Sequence, residues 1–117
     1  MPKKADEAAE QITFMNWANE HGLFAFHIPN GEFRHKATAV RLKLLGVRAG
    51  IPDVFVPELK LFIEFKSSTG RPSAAQKEAI AALKSFGYEV VIAKSAEEAI
   101  QSVNLIARGA CDDRDRA

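Results

Sequence analysis

Three charged residues stand in a stretch that otherwise reads as two apolar strands. In GIPDVFVPELKLFIEFKSSTGR, residues 50–71, Asp53 opens the first apolar run, and Glu64 and Lys66 close the second. Strands near a core exclude charge unless the ion is paired or ligated, because burial penalises the ionised form. Side chains alternate between the faces of a strand, so Phe62, Glu64 and Lys66 share one face and Leu61, Ile63 and Phe65 the other. Glu64 and Lys66 are then about 6–7 Å apart along the strand. A hairpin turning at ELK sets the start of the first run across from the end of the second, and Asp53 lands beside Glu64 and Lys66. Two carboxylates brought together repel unless something positive sits between them. A hard divalent cation such as Mg²⁺ meets that need with oxygen ligands, often one or two carboxylates plus water and substrate phosphate. The neighbouring ammonium could hold or deprotonate an attacking water or stabilise charge on a phosphate. An unperturbed lysine, with a pKa of about 10.4, is a poor base at neutral pH. Taken alone, Pro-Asp is turn chemistry and Glu-x-Lys a solvated cross-strand pair. The convergence of Asp53 on that pair is what favours a metal cradle.

The elements that must position these residues follow from periodicity. Residues 5–21 carry helical spacing, with Ile12, Met15 and Ala18 or Asn19 on one stripe, Phe14 and Trp17 beside it, and Gly22 as the stop. LFAFHI (23–28) reads as a strand closed by the turn residues PNGE. HKATAVRLKLLG (35–46) returns to helical spacing and stops at Gly46. The strands DVFVP and LFIEFK follow, then a helix from Ser73 to about Phe86, whose Gln76 stands at the capping-box position. YEVVIA (88–93) is a strand, and Ser95 caps a last helix with Glu98 as its partner. The expected order is α-β-α-β-β-α-β-α.

A chain of 117 residues with 47% hydrophobic and 26% charged residues fits one soluble globular domain. The expected division is a domain over 1–107 and a polar, flexible tail over 108–117. The net charge of +1 excludes an argument for nucleic acid from the total alone. One cysteine, Cys111, allows no intrachain disulfide and fits a reducing cytoplasm. The N-terminal segment has no apolar core of a signal peptide, and no apolar run approaches the roughly 20 residues of a membrane span. The three histidines lack zinc-ligand spacing, and neither His27 nor Asn30 is assigned to catalysis. Trp17 and the eight phenylalanines read as core.

The motifs together resemble a known family. "PD", ten residues, then "E-F-K" resembles the PD-(D/E)xK nuclease motif. IPNGEFR, GVRAGIPD, the ExK strand and GRPSAAQ make the chain, over roughly residues 7–103, similar to the VRR-NUC (virus-type replication-repair nuclease) family. The resemblance implies an α/β fold with a restriction-endonuclease-like core, a mixed central β-sheet flanked by helices. It implies Mg²⁺- or Mn²⁺-dependent cleavage of DNA phosphodiesters, with stand-alone phage and bacterial relatives acting on branched DNA such as Holliday junctions. It also implies a further acid on the first helix, for which Glu7 and Glu10 both align and Glu10 is preferred. Gln76 matches a late polar position, with helix capping as its competing role. The expected site is thus Glu10, Asp53, Glu64, Lys66 and Gln76, with Asp53, Glu64 and the Phe65 backbone carbonyl on the metal.

Between Glu32 and Asp53 there is no acidic residue, while Arg34, Lys36, Arg41, Lys43 and Arg48 fall there. That interval is the expected phosphate-tracking surface. Paired cutting of a symmetric DNA needs two sites in fixed relation, so a homodimer is expected, with the first helix (Phe14 and Trp17) and the 35–45 helix as candidate faces. The expected activity is that of a metal-dependent endonuclease in a phage- or bacterial-type host cytoplasm. A non-catalytic DNA-binding module on the same fold is the alternative.

Overall fold

The computed structural model describes residues 5–29 and 36–116, with side chains described for 6–29 and 37–109. Its elements are α1 (Ala5–Glu20), β1 (Phe26–His27), α2 (Lys36–Leu44), β2 (Val54–Val56), a single 3₁₀ turn (Pro57–Leu59), β3 (Leu61–Phe65), α3 (Ala74–Ser85), β4 (Glu89–Ala93) and α4 (Ala96–Arg116). The helix–strand order is the expected one. The sheet runs β1-β2-β3-β4. β1, β2 and β3 pair antiparallel, and β4 is parallel to β3, so the sheet is mixed and flanked by helices.

Local chemistry accounts for the boundaries. At the end of α1, Gly22 N–H donates to Asn19 O and Leu23 N–H to Ala18 O, a Schellman closure made possible by a φ of +68° at Gly22. Gly46 closes α2 and Gly87 closes α3 in the same way. The chain spends Leu23 to Ala25 leaving α1, which leaves only Phe26 and His27 of the expected 23–28 strand to pair with β2. Ser73 and Gln76 form a complete capping box at the start of α3. At α4, Glu98 N–H donates to Ser95 Oγ, and the Glu98 carboxylate accepts from Lys94 N–H. Lys60, at φ +50°, turns the chain from the 3₁₀ turn into β3, and its N–H donates to Pro57 O.

The dry core lies on one face of the sheet. Val54 and Val56 of β2, Leu61, Ile63 and Phe65 of β3, and Ala93 of β4 face Phe14 and Ala18 of α1 and Ala96, Ala99 and Val103 of α4. α1 packs on α4 and β3, and α4 on β4. The small residues of α4 let its axis come close to the sheet. Phe14 is 0% exposed, with its ring 5.9 Å from those of Trp17 and Phe65. The buried stripe of α1 is therefore Phe14–Ala18, an i,i+4 pair, and not the expected Ile12 stripe, since Ile12 is 60% exposed. Burial of Phe14, with Trp17 packed partly on the core, also removes Phe14 from the candidate dimer surface.

The other face is thinly covered. Phe55 stacks on Phe62 at 4.4 Å, Tyr88 and Phe26 meet them edge-on, and Phe24 extends the row. Phe24, Phe26 and Phe86 are exposed, so the phenylalanines are not all core as expected. Phe26 stands on the edge strand β1, and α3, the helix on β4, which ends beside Phe86, has no buried residue of its own. Among the described residues no helix is long and apolar enough to cross a membrane.

Phe14→Ala removes the ring at the centre of this core. It should cost about 3–5 kcal/mol in urea unfolding, while Ile12→Ala should stay within about 0.5 kcal/mol. Equal losses at the two positions would contradict the core assignment.

Candidate functional site

The site forms where β2 begins and β3 ends. Val54 pairs with Ile63 and Phe55 with Phe62. One step further along the same ladder, Asp53 faces Glu64, as the hairpin geometry requires. Both side chains lie on the aromatic face, away from the dry core. Asp53 is 8% exposed and Glu64 4%. Asp53 Oδ2 accepts from Phe65 N–H at 2.8 Å, which fixes the carboxylate across the strand gap. Its main-chain oxygen accepts from Ile28 N–H at 2.7 Å, which anchors it to the residue after β1.

Glu64 Oε2 accepts from Gln76 Nε2 at 3.1 Å and lies 3.6 Å from Lys66 Nζ. Gln76 uses both ends of its amide: Oε1 accepts from Ser73 N–H in the capping box, and Nε2 reaches Glu64. The two roles considered for Gln76 are thus one arrangement, in which the first turn of α3 holds the carboxylate of β3. The structure brings together Asp53, Glu64, Lys66 and Gln76. Two buried carboxylates and the Lys66 ammonium thus share one confined place.

Glu10 is placed differently. Its Oε1 accepts from Ala96 N–H at 2.8 Å, at the first residue of α4, where the helix dipole favours an anion. Among the described residues no group of three or more His, Cys, Asp or Glu side chains converges as a metal-ligand set. Glu10 therefore joins α1 to the start of α4 and does not stand as a third carboxylate with Asp53 and Glu64 in this arrangement. Glu7 lies in the first turn of the same helix.

Of the basic interval, Arg34 lies outside the described residues, as do Asn30 and His35, and Lys36 begins α2 with its side chain undescribed. Arg41 and Lys43 are exposed in the last turn of α2, and Arg48 is exposed in the loop beyond. Gly46, at φ +106°, breaks the helix between them, so Arg41 and Arg48 do not continue one helical row. Arg48 lines a cavity of about 560 Å³ with Ile51 and the α3 residues Ala75, Ala79 and Leu83.

Two positioning features are not visible in the sequence. Gly50, at φ +87°, backs onto the first turn of α3: a Cβ there would fall on the Ala75 carbonyl oxygen and within 2.9 Å of Gln76 N. The loop that leads into Asp53 and the helix that presents Gln76 are thus in backbone contact. Lys94 Nζ donates to the main-chain oxygens of Ser67 and Gly70, at 3.1 and 2.5 Å, and ties down the loop that follows Lys66. A glycine before a Pro-Asp turn and a lysine after a strand carry no periodic signal that would have revealed either contact.

The chain resembles known proteins in both sequence and structure. The sequence profile of the VRR-NUC domain matches residues 4–97. A solved structure described as "VRR_NUC domain protein" is similar at a TM-score of 0.74 and 26% identity, over 92% of this chain and 92% of that one. No curated protein matches.

Gly50→Ala and Gly46→Ala both place a Cβ at positive φ, a strain of about 1–2 kcal/mol, but only at Gly50 does that Cβ meet another backbone. Gly50→Ala should lower the urea midpoint clearly further than Gly46→Ala. Equal shifts would show that α3 moves aside freely.

Proposed function

The chain belongs to the VRR-NUC family, whose members are generally nucleases, and from that premise we propose that it is a metal-dependent endonuclease that hydrolyses DNA phosphodiester bonds, structure-specific for branched DNA. One observation carries the reading: Asp53 and Glu64 are buried opposite one another, with Lys66 Nζ 3.6 Å from Glu64. Hard oxygen donors suit Mg²⁺ or Mn²⁺, and two carboxylates with a main-chain carbonyl are a donor set that fits such an ion. Asp53 and Glu64 would hold the ion, with the Phe65 main-chain carbonyl as a third oxygen. The chemistry supplied by a bound ion would be polarisation of the scissile phosphate and activation of a water.

The protein's own groups do the rest. Phe65 N–H keeps the Asp53 carboxylate from rotating, and Gln76 does the same for Glu64. Preorganised ligands cost no rearrangement during the reaction. Lys66, on the face of Glu64, holds the attacking water or the developing charge on phosphate. The exposed Arg41, Lys43 and Arg48 track the DNA backbone toward the site. Paired cuts on a symmetric junction need two such sites, which a homodimer supplies. Val40, Leu44 and Leu45 of the α2 region are its candidate face, with Leu44 83% exposed.

The test is cleavage of labelled junctions, flaps, splayed arms and plain duplex with Mg²⁺, Mn²⁺ or EDTA. Cutting is expected with either metal and not with EDTA, and Asp53→Ala and Glu64→Ala should each abolish it. Lys66→Ala should lose cleavage but keep DNA affinity. Undiminished cutting by Asp53→Ala or Glu64→Ala overturns the site, and single unpaired nicks in a junction overturn the homodimer.

A second measurement concerns the DNA path. Binding by the Glu64→Ala protein should weaken steeply with salt. Replacing Arg41, Lys43 and Arg48 by alanine should flatten the slope of log K against log salt by about 2–3, one counterion per lost phosphate contact. An unchanged slope would place the DNA elsewhere.

A further inference from the structure

His27 touches Asp53 from behind. In β1 it pairs with Val54, the residue after Asp53. Its Nδ1 lies 2.8 Å from the Asp53 main-chain oxygen and 2.8 Å from the Gln11 side-chain amide of α1. Asp53 O, with two lone pairs, can accept both this nitrogen's proton and Ile28 N–H. A ring nitrogen facing a carbonyl oxygen must carry the proton. With Nδ1 protonated, the group Gln11 turns toward it must be its oxygen. The Nδ1 proton is then shared between Asp53 O and the Gln11 amide oxygen.

Asp53 is then held at two points. Its carboxylate is fixed by Phe65 N–H from β3, and its main chain by Ile28 N–H and the His27 ring from β1. Asp53 lies just outside the regular ladder of β2, which begins at Val54. Without the ring, Asp53 O loses one of its hydrogen bonds, and α1 loses its link through Gln11. We propose that His27 is a positioning residue: through an Nδ1–H bond to the Asp53 carbonyl it sets the Asp53 carboxylate in the geometry that a divalent cation requires. The role rests on the reading of Asp53 and Glu64 as metal ligands. Groups that orient metal ligands change affinity by about 10- to 100-fold when removed.

The experiment is calorimetric titration of the full chain, without DNA, with Mn²⁺ alone. The set is wild type, Asp53→Ala, His27→Ala, His27→Asn and His27→Gln. Circular dichroism checks folding, and each protein is titrated well below its own unfolding midpoint. The asparagine amide nitrogen occupies the place of Nδ1, whereas the glutamine amide nitrogen occupies that of Nε2. Asp53→Ala should lose Mn²⁺ binding. His27→Ala and His27→Gln should bind about 10- to 100-fold more weakly, and His27→Asn within about threefold of wild type. A merely structural histidine would not distinguish Asn from Gln. If His27→Ala does not fold, the comparison of Asn with Gln decides alone. Asn and Gln alike in affinity, or His27→Ala within threefold of wild type beside a dead Asp53→Ala, overturns the positioning role. Unchanged binding by Asp53→Ala overturns the metal reading and the role together.

Discussion

The register of one short hairpin governs this molecule. Because Val54 pairs with Ile63, Asp53 meets Glu64, and every odd-numbered residue of β3 points into the dry core while Glu64 points away from it. A slip of one residue would turn Phe65 and Ile63 outward and bury Glu64 among Phe14, Val54 and Val56. The apolar face therefore fixes the register, and the register fixes the carboxylates. The costly feature, two acids out of water, is tied to the most stabilising feature, the packing of Leu61, Ile63 and Phe65 on α1 and α4.

The remaining elements serve that constraint. A parallel strand beside β3 needs a crossover, and the crossover is α3. Its first turn lies at the end of β3, where Gln76 can reach Glu64. Gly50 permits the loop before Asp53 to touch the same turn. Lys94, just past β4, holds the loop after Lys66. Each of the three contacts joins a different connection to the ends of β2 and β3, so the site is braced by backbone as much as by side chains.

The grouping of Asp53, Glu64 and Lys66 was legible in the sequence because it depends on two simple rules, alternation along a strand and the crossing of hairpin ends. Those rules place Asp53, Glu64 and Lys66 without knowledge of the rest, and the S-x-x-Q spacing places Gln76 at the helix start. The helix stops at Gly22 and Gly46 were legible for the same local reason. Contacts between segments far apart in sequence were not. Glu10 reads as a first-helix acid, but only the packing of α1 on α4 reveals that it meets Ala96 N–H. The choice between Ile12 and Phe14 as the buried residue turns on the rotation of α1 about its axis, which neighbouring apolar residues on both sides leave undetermined. The exposure of Phe24, Phe26 and Phe86 depends on which parts of the sheet the helices cover, a property of the whole fold and not of any one stretch.

The central claim is that the paired acids of β2 and β3 are ligands and not a self-contained network of ion pair and hydrogen bonds. Crystals of the protein soaked in Mn²⁺, with data collected at the manganese edge, test it without reference to any DNA substrate. The account predicts an anomalous peak between the carboxylates of Asp53 and Glu64, within about 2.0–2.3 Å of an oxygen from each and beside the Phe65 carbonyl. An anomalous peak at some other group, with Asp53 still held by Phe65 N–H and Glu64 by Gln76 and Lys66, would contradict it.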